Sequence, residues 1–178
     1  MHDVNYEYIL SCAATHQRRT YLNWLKDIDA RRQCYDNVKK NMKYFSVSEL
    51  TASATAQREG IDNRPPECAY HLLHVLVEQL LDPIREEWGE PIVVSSGYRC
   101  KELNALVGGA KNSHHLLGCA ADLIAGNKAD HRRLFKLIQQ MQQQGQIRFT
   151  QLIWEGDGRW IHISYVPSDL RGQVIAYG

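Results

Sequence analysis

The sequence lacks any apolar run near the roughly 20 residues that a membrane-spanning helix needs. It also lacks the composition of a signal peptide. Residues 9–12 loosely resemble a lipoprotein cleavage site, but Asp3 and Glu7 precede them and no apolar stretch of sufficient length leads into them. We therefore expect a chain that is made in the cytoplasm without a signal peptide, so that any secretion uses another route.

Cysteine pairs and an excess of one charge are also missing. The five cysteines are widely spaced, odd in number and without a C-x-x-C pair, which argues against a disulfide framework and a four-cysteine zinc site. The formal charge of +1 gives no general basis for binding nucleic acid. Residues 1–43 carry eight Lys and Arg against five Asp and Glu, a bias typical of a solvated helical face.

Gly and Pro are absent from residues 5–43, where apolar side chains recur at three- and four-residue intervals. This pattern predicts a helical N-terminal extension over residues 1–43. A structured polar connection then ends at Pro65 and Pro66, which cannot continue a helix. We expect residues 44–178 to form one domain, because a chain of that size usually buries a single core.

Helical and strand patterns alternate after the two prolines. The apolar spacing of residues 67–88 predicts a helix with a kink at Pro83 and a stop at Gly89. Short strands are predicted at residues 91–94 and 119–124, a helical turn at 103–107 and a second helix at 128–143. The order of elements predicts an α+β fold, in which helices flank a small mixed or antiparallel sheet.

A β-hairpin is predicted near the C-terminus, because Asp157 and Gly158 form a strong signal for a two-residue loop. The strands are predicted at residues 150–155 and 160–165. The predicted cross-strand pairs are Glu155 with Trp160, Ile153 with His162, and Gln151 with Ser164. In this register Glu155 and His162 project from the same side as diagonal neighbours, roughly 7 to 8 Å apart.

Three residues form a candidate set of metal ligands. A hydrolytic zinc site takes about three ligands from His, Asp and Glu and leaves one position open to water. His115 lies seven residues before Asp122, with a compact run of small residues between them, and His162 comes from the predicted hairpin. Spacing alone also fits a strand histidine that is merely hydrogen-bonded, so the residues by themselves leave both interpretations open.

Several different short motifs are distributed along most of the chain after the helical extension. The most specific are the S-x-H-x-x-G-x-A-x-D string at residues 113–122 and the W-x-H-x-S strand at residues 160–164. Others lie at residues 45–50, 61–66, 95–99 and 108–110, and at Asn104. In order and spacing these motifs resemble the M15 metallopeptidases, the family of D-alanyl-D-alanine carboxypeptidases and related cell-wall peptidases, over roughly residues 44–165. The small peptidase branch is the most similar.

The resemblance implies that His115, Asp122 and His162 hold one zinc ion, and that His114 is not a ligand. It also implies that Arg99 holds and polarises the scissile carbonyl or its oxyanion, a task that suits a planar, permanently charged donor. A surface ion pair is the alternative for Arg99.

Ser113 resembles a contact to the substrate peptide. A serine before a turn is as often a local backbone cap, and we leave both interpretations open.

The general base departs from the better-known pattern of the family, which places an acid three residues before the last histidine. Here that position is Arg159. Asp157 is expected in the turn for conformational reasons, whereas Glu155 shares the side of the hairpin that carries His162. We therefore predict Glu155 as the general base. A salt bridge from Glu155 to Arg159 or Lys111 is the rival interpretation.

The other candidate ligands are assigned to structural roles, His71 and His74 to packing and capping and Cys119 to the core. His71 and His74 share one face of the predicted core helix but have no acidic partner in the motif. Cys119 points away from the side of its strand that carries Asp122, so we expect it in the core.

The resemblance implies an enzyme that hydrolyses peptide bonds involving D-amino acids in peptidoglycan stem peptides, as a D-Ala-D-Ala carboxypeptidase or a lytic endopeptidase. The lack of a signal peptide favours lytic use, as in a phage or prophage endolysin that reaches the cell wall or periplasm through a separate pore. The alternative is a non-catalytic, zinc-stabilised binding or structural module on the same scaffold.

Overall fold

The structure is a computed structural model that describes residues 42–176. All but the last two residues of the predicted helical extension lie outside it, so the division of the chain at residue 44 stays a prediction. The helices are α1 (Val47–Thr51), α2 (Ala54–Glu59), α3 (Glu67–Leu76), α4 (Asp82–Trp88), α5 (Lys101–Leu106) and α6 (Lys128–Gln143). The strands are β1 (Val93–Ser96), β2 (Ala120–Ile124), β3 (Gln151–Glu155), β4 (Trp160–Ser164) and β5 (Gln173–Ala176).

A five-stranded mixed sheet with the order β1-β2-β4-β3-β5 forms the centre of the fold. All neighbouring strands are antiparallel except β3 and β5, which run parallel. Side chains alternate between the two faces of a strand. Leu123, Ile161 and Ile163 are fully buried in the core, and each such residue contributes about 1.5–3 kcal/mol through burial. The intervening Asp122 and His162 lie on the opposite face. The predicted α+β fold is confirmed.

The core helix runs from residue 67 to residue 88, and Gly89 ends it in a left-handed conformation, as predicted. Residues Val77–Leu81, just before Pro83, form a wider π-helical turn in which Asp82 N–H donates to Val77 O. Proline has no N–H to donate, and its ring clashes with the carbonyl of the preceding turn. A π-helical turn is a common way for a helix to absorb the missing hydrogen bond and the clash. Among residues 42–176, no helix is both long enough and apolar enough to cross a bilayer.

The predicted strand at residues 91–94 was placed two residues too early. Strand β1 begins at Val93 and continues through Ser96, which pairs with Asp122. Pro91 cannot donate to a strand ladder, whereas both serines lie beside β2. The register shifts between Val94 and Ser96, and Ser95 Oγ donates to Asp122 O at 3.1 Å. Position beside a neighbouring strand therefore outweighs the weak strand propensity of serine.

The predicted hairpin register is confirmed for all three cross-strand pairs. The predicted two-residue loop is wrong, because strand pairing ends at Glu155 with Trp160 and leaves a turn of four residues, 156–159. Gly156, Asp157 and Gly158 all have positive φ. Three successive left-handed residues lengthen the turn without moving the register of the strands.

The loop after β1 packs tightly on α1 because Gly97 has no side chain. A Cβ atom at Gly97 would lie 2.1 Å from Leu50 O. The same carbonyl accepts a hydrogen bond from Tyr98 N at 2.7 Å, and the Tyr98 side chain is buried. This close approach fixes the path of the loop that carries Arg99.

We expect Gly97→Ala to destabilise the protein by about 3 kcal/mol, because the new methyl group overlaps backbone that cannot move freely. Gly145→Ala is the matched control. Gly145 has open space around its missing Cβ but a positive φ, so its substitution costs only about 1 kcal/mol. Urea unfolding of both variants measures the difference, and equal losses would contradict the packing argument.

Candidate active site

Neighbouring strands bring two of the predicted metal ligands together. Asp122 on β2 and His162 on β4 are direct cross-strand partners on the same face of the sheet. His115 comes from a 3-10 turn, His114–Leu117, which ends at the left-handed Gly118 just before β2. A Cβ atom at Gly118 would lie 2.5 Å from Ala69 O on α3. The small residue therefore lets the turn pack closely enough to reach the strand.

The three predicted ligands form a nearly equilateral triangle of donor atoms. His115 Nε2 lies 3.2 Å from Asp122 Oδ1 and 3.1 Å from His162 Nδ1, and Asp122 Oδ1 lies 3.0 Å from His162 Nδ1. Ligands of a tetrahedral zinc ion lie about 3.3 Å from one another. Among residues 42–176, no other group of three or more His, Cys, Asp or Glu side chains is arranged to hold a metal ion.

The protonation states of this cluster favour a cation at its centre. His115 Nδ1 lies 2.6 Å from Gly97 O, and a carbonyl only accepts, so the proton is on Nδ1 and Nε2 presents a lone pair. Burial lowers the pKa of His115 more than Asp122 raises it. Burial raises the pKa of Asp122, but His115 and His162 outweigh this effect and hold it below its usual range. Two acceptor atoms therefore face each other, a costly arrangement unless a cation lies between them.

A cavity of about 710 Å³ surrounds the triangle. Arg99 lines it, is half-buried, and has a buried Nε without a hydrogen-bond partner among the described residues. Burial lowers the pKa of the Arg99 guanidinium, and the nearby Asp122 carboxylate raises it. Among residues 42–176 the Arg99 side chain forms no ion pair within 4 Å, so the surface ion pair considered for it is not formed there.

Asn63 positions Arg99 from both sides, a role that the sequence did not suggest. Asn63 Nδ2 donates to Tyr98 O and to Thr51 O, both at 3.0 Å, and Asn63 Oδ1 accepts from Cys100 N at 2.8 Å. These partners lie 12 to 37 residues away in the chain. No local sequence signal could have identified them.

Asn104 similarly shapes the loop on one side of the cavity. Its Nδ2 donates to Ala110 O at 3.0 Å, and a Cβ atom at Gly109 would lie 2.2 Å from Asn104 Oδ1. Residues 107–110 line the cavity. The asparagine and the glycine of two separate sequence motifs therefore form one contact.

Comparison with known proteins agrees with this geometry. The peptidase M15 family matches residues 43–164. The chain belongs to this family of metallopeptidases. A stretch of 49 residues is 47% identical to the zinc D-Ala-D-Ala carboxypeptidase of Streptomyces albus G. The match covers 27% of this chain and 19% of that relative, so the chain spans less than a fifth of the relative's length.

Of the two acids near the last M15 histidine, the structure brings only Glu155 to the cavity. Glu155 lines it and projects from the face of the hairpin that carries His162. The Asp157 side chain is 90% exposed and pairs with Lys128 Nζ at 2.8 Å. Asp157 is the one non-glycine residue with positive φ among residues 42–176. Its conformational role in the turn is therefore confirmed.

The rival interpretation of Glu155 as a salt-bridge partner finds no support in the structure. Among residues 42–176 the Glu155 carboxylate makes no ion pair within 4 Å with Arg159 or with Lys111. Arg159 Nε instead donates to Gly156 O at 3.0 Å, and its guanidinium lies 5.1 Å from the centre of the Trp160 ring.

Ser113 and His114 also line the cavity. Ser113 Oγ accepts from His115 N at 3.3 Å, so the interpretation as a local cap is confirmed. A contact from Ser113 to substrate stays a prediction. His114 is absent from the triangle, and its Nδ1 lies 3.0 Å from Ser164 Oγ. Burial lowers the pKa of His114 to about 4, with smaller contributions from His162, Arg171 and His115, so this side chain is neutral at pH 7.

The remaining candidate ligands lie outside the triangle. Cys119 is fully buried, as predicted, and burial raises the pKa of its thiol. The ring of Tyr70 packs against His71 and His74 on α3, with 4.9 Å between the centres of the Tyr70 and His74 rings. Burial lowers the pKa of His74. These contacts agree with the predicted packing role.

Zinc should stabilise the protein through the triangle, by about 4 kcal/mol at a free zinc concentration 1,000 times the dissociation constant. Asp122→Asn should abolish most of this gain, because it removes the negative charge between the two histidines. Thermal unfolding with zinc or with a chelator, together with elemental analysis, measures the effect. Asp157→Asn is the control and should bind zinc normally. Wild-type protein that holds no divalent metal after reconstitution would refute the site.

Proposed function

We propose that the protein hydrolyses peptide bonds involving D-amino acids in peptidoglycan stem peptides, with one zinc ion held by His115, Asp122 and His162. The observation that carries this proposal is the triangle of three donor atoms 3.0 to 3.2 Å apart inside an open cavity. Membership of the M15 family and the name of the Streptomyces relative, a zinc D-Ala-D-Ala carboxypeptidase, support the choice of substrate class.

A zinc ion at this site would supply Lewis acidity and lower the pKa of a water molecule in its open coordination position. Glu155 accepts a proton from the attacking water and returns it to the leaving amine, as general acid-base catalysis requires. Its position on the His162 side of the hairpin supports this role. Asp157 is unsuited to it because its carboxylate is exposed and paired with Lys128.

Arg99 binds the scissile carbonyl and stabilises the negative charge that develops on its oxygen. The guanidinium lines the cavity with Nε unpartnered among the described residues. Donors fixed in a partly buried site stabilise developing charge more strongly than donors in water do, because they need not reorganise. The hydrogen bonds that Asn63 makes on either side of Arg99 supply this rigidity.

Ser113, which lines the cavity, contacts the peptide backbone of the substrate. Its hydroxyl caps the turn that carries His115, and an accepting hydroxyl oxygen still has its own proton to donate. Because stem peptides are part of peptidoglycan, we place the site of action at the cell wall, where a phage or prophage lysis enzyme would act.

We expect Glu155→Gln to lower kcat on stem peptides by about 10²- to 10⁴-fold, the usual contribution of a general base, while the zinc content stays unchanged. Asp157→Asn is the matched control, because asparagine tolerates the left-handed turn, and it should keep the wild-type rate. Mass spectrometry of products from whole murein and from synthetic stem peptides gives both the rate and the bond that is cut.

A non-catalytic zinc module on the same scaffold makes a different prediction. In that case neither wild type nor Glu155→Gln releases any product, with zinc fully bound in both. A Glu155→Gln variant that retains the wild-type rate would instead remove Glu155 from the mechanism and leave the enzyme assignment intact.

A further inference from the structure

One row of side chains on the cavity face of the hairpin extends past the metal triangle. Along β3 the row consists of Glu155, Ile153 and Gln151, and all three line the cavity. Ile153 pairs with His162, so the triangle lies beside the middle of the row. Residues two apart on a strand are about 7 Å apart. Gln151 therefore lies roughly 7 Å along β3 from Ile153, the residue that pairs with His162, on the side away from Glu155.

The segment that leads into β5 brings the positively charged side chain of Arg171 to this far end. Gln151 pairs in register with Gln173, and Gln151 Nε2 donates to Gln173 Oε1 at 2.9 Å. Arg171 Nε donates to the same oxygen at 3.3 Å, and Arg171 Nη1 donates to Asp169 Oδ2 at 2.6 Å. Two of the three guanidinium nitrogens are thus held in place. The third, Nη2, has no hydrogen bond among the described residues.

The charges that line the cavity are unevenly distributed. Its two acids, Asp122 and Glu155, lie at the triangle and on the far side of it from Gln151, whereas Arg171 lines the cavity at the Gln151 end. The Arg171 side chain is 41% exposed, so it is accessible to a ligand. A guanidinium that is held at two nitrogens and open at the third binds carboxylates well, because little side-chain entropy remains to be lost.

We propose that Arg171, held by Gln173 and Asp169, forms a second anion subsite that binds a carboxylate of the substrate peptide on the Gln151 side of the bond that is cut. This inference rests on the proposed function. Arg171 lies beyond residues 43–164, over which the family matches, so the subsite belongs to the segment that adds β5.

Peptide binding to zinc-loaded Glu155→Gln protein tests the subsite without turnover. Calorimetry compares a synthetic stem pentapeptide that has free carboxylates with versions amidated at one carboxylate at a time. Adding Arg171→Gln should weaken binding of the free peptide by about 10-fold, the usual effect of losing a charge-assisted pair. For one of the amidated peptides, the one that has lost the carboxylate bound by Arg171, the same substitution should leave the affinity unchanged. Arg171→Lys should restore part of the affinity, because lysine keeps the charge but loses the fork geometry.

Arg64→Gln is the control, because Arg64 pairs with an aspartate two residues earlier at 2.6 Å, as Arg171 does, but lies outside the cavity. It should change no affinity. An Arg171→Gln effect that is absent, or equal for all peptides, overturns the subsite, as does failure of the Arg171-containing protein to bind any of them. Failure of wild-type enzyme to cut murein would count instead against the proposed function, because the binding measurement needs no hydrolysis.

Discussion

The hydrogen bond between His115 Nδ1 and Gly97 O is the contact on which the candidate active site depends. At 2.6 Å it fixes the proton on Nδ1 and leaves the Nε2 lone pair directed at Asp122 and His162. The main chain reinforces it, because Arg99 N donates to His115 O at 3.1 Å. The loop that carries Arg99 and the turn that carries His115, the proposed metal ligand, are therefore held against each other.

The sheet separates packing from chemistry. Alternation of side chains along β2 and β4 sends Leu123, Ile161 and Ile163 into the core and presents Asp122 and His162 to the cavity. The core face supplies most of the stabilising burial, so the cavity face can carry polar groups that a core would not tolerate. Because Asp122 and His162 are direct cross-strand partners, the pairing of the strands itself sets the distance between their side chains.

Local patterns predicted the parts of the fold that depend on short-range rules. The alternation around the Asp-Gly turn set the hairpin register, and with it the shared side of Glu155 and His162. The helical spacing of residues 128–143 agrees with α6 at both ends. Strand β5 was missed because its parallel pairing with β3 joins segments that are not adjacent in the chain. The early placement of β1 has the same cause, because Ser95 and Ser96 extend the strand through their position next to Asp122 on β2, which is distant in the chain.

By itself, the sequence determined which residues could serve as ligands and catalysts, because side-chain chemistry is fixed by residue type and motif spacing by the chain. Only the tertiary structure decided how they meet. In the folded chain Asn63 holds the backbone on either side of Arg99, and Asp157 pairs with Lys128 instead of lining the cavity. Arg171 and Gln151 both bond Gln173. Most of these contacts join residues distant in the chain, and packing and strand pairing set such distances where local propensity cannot.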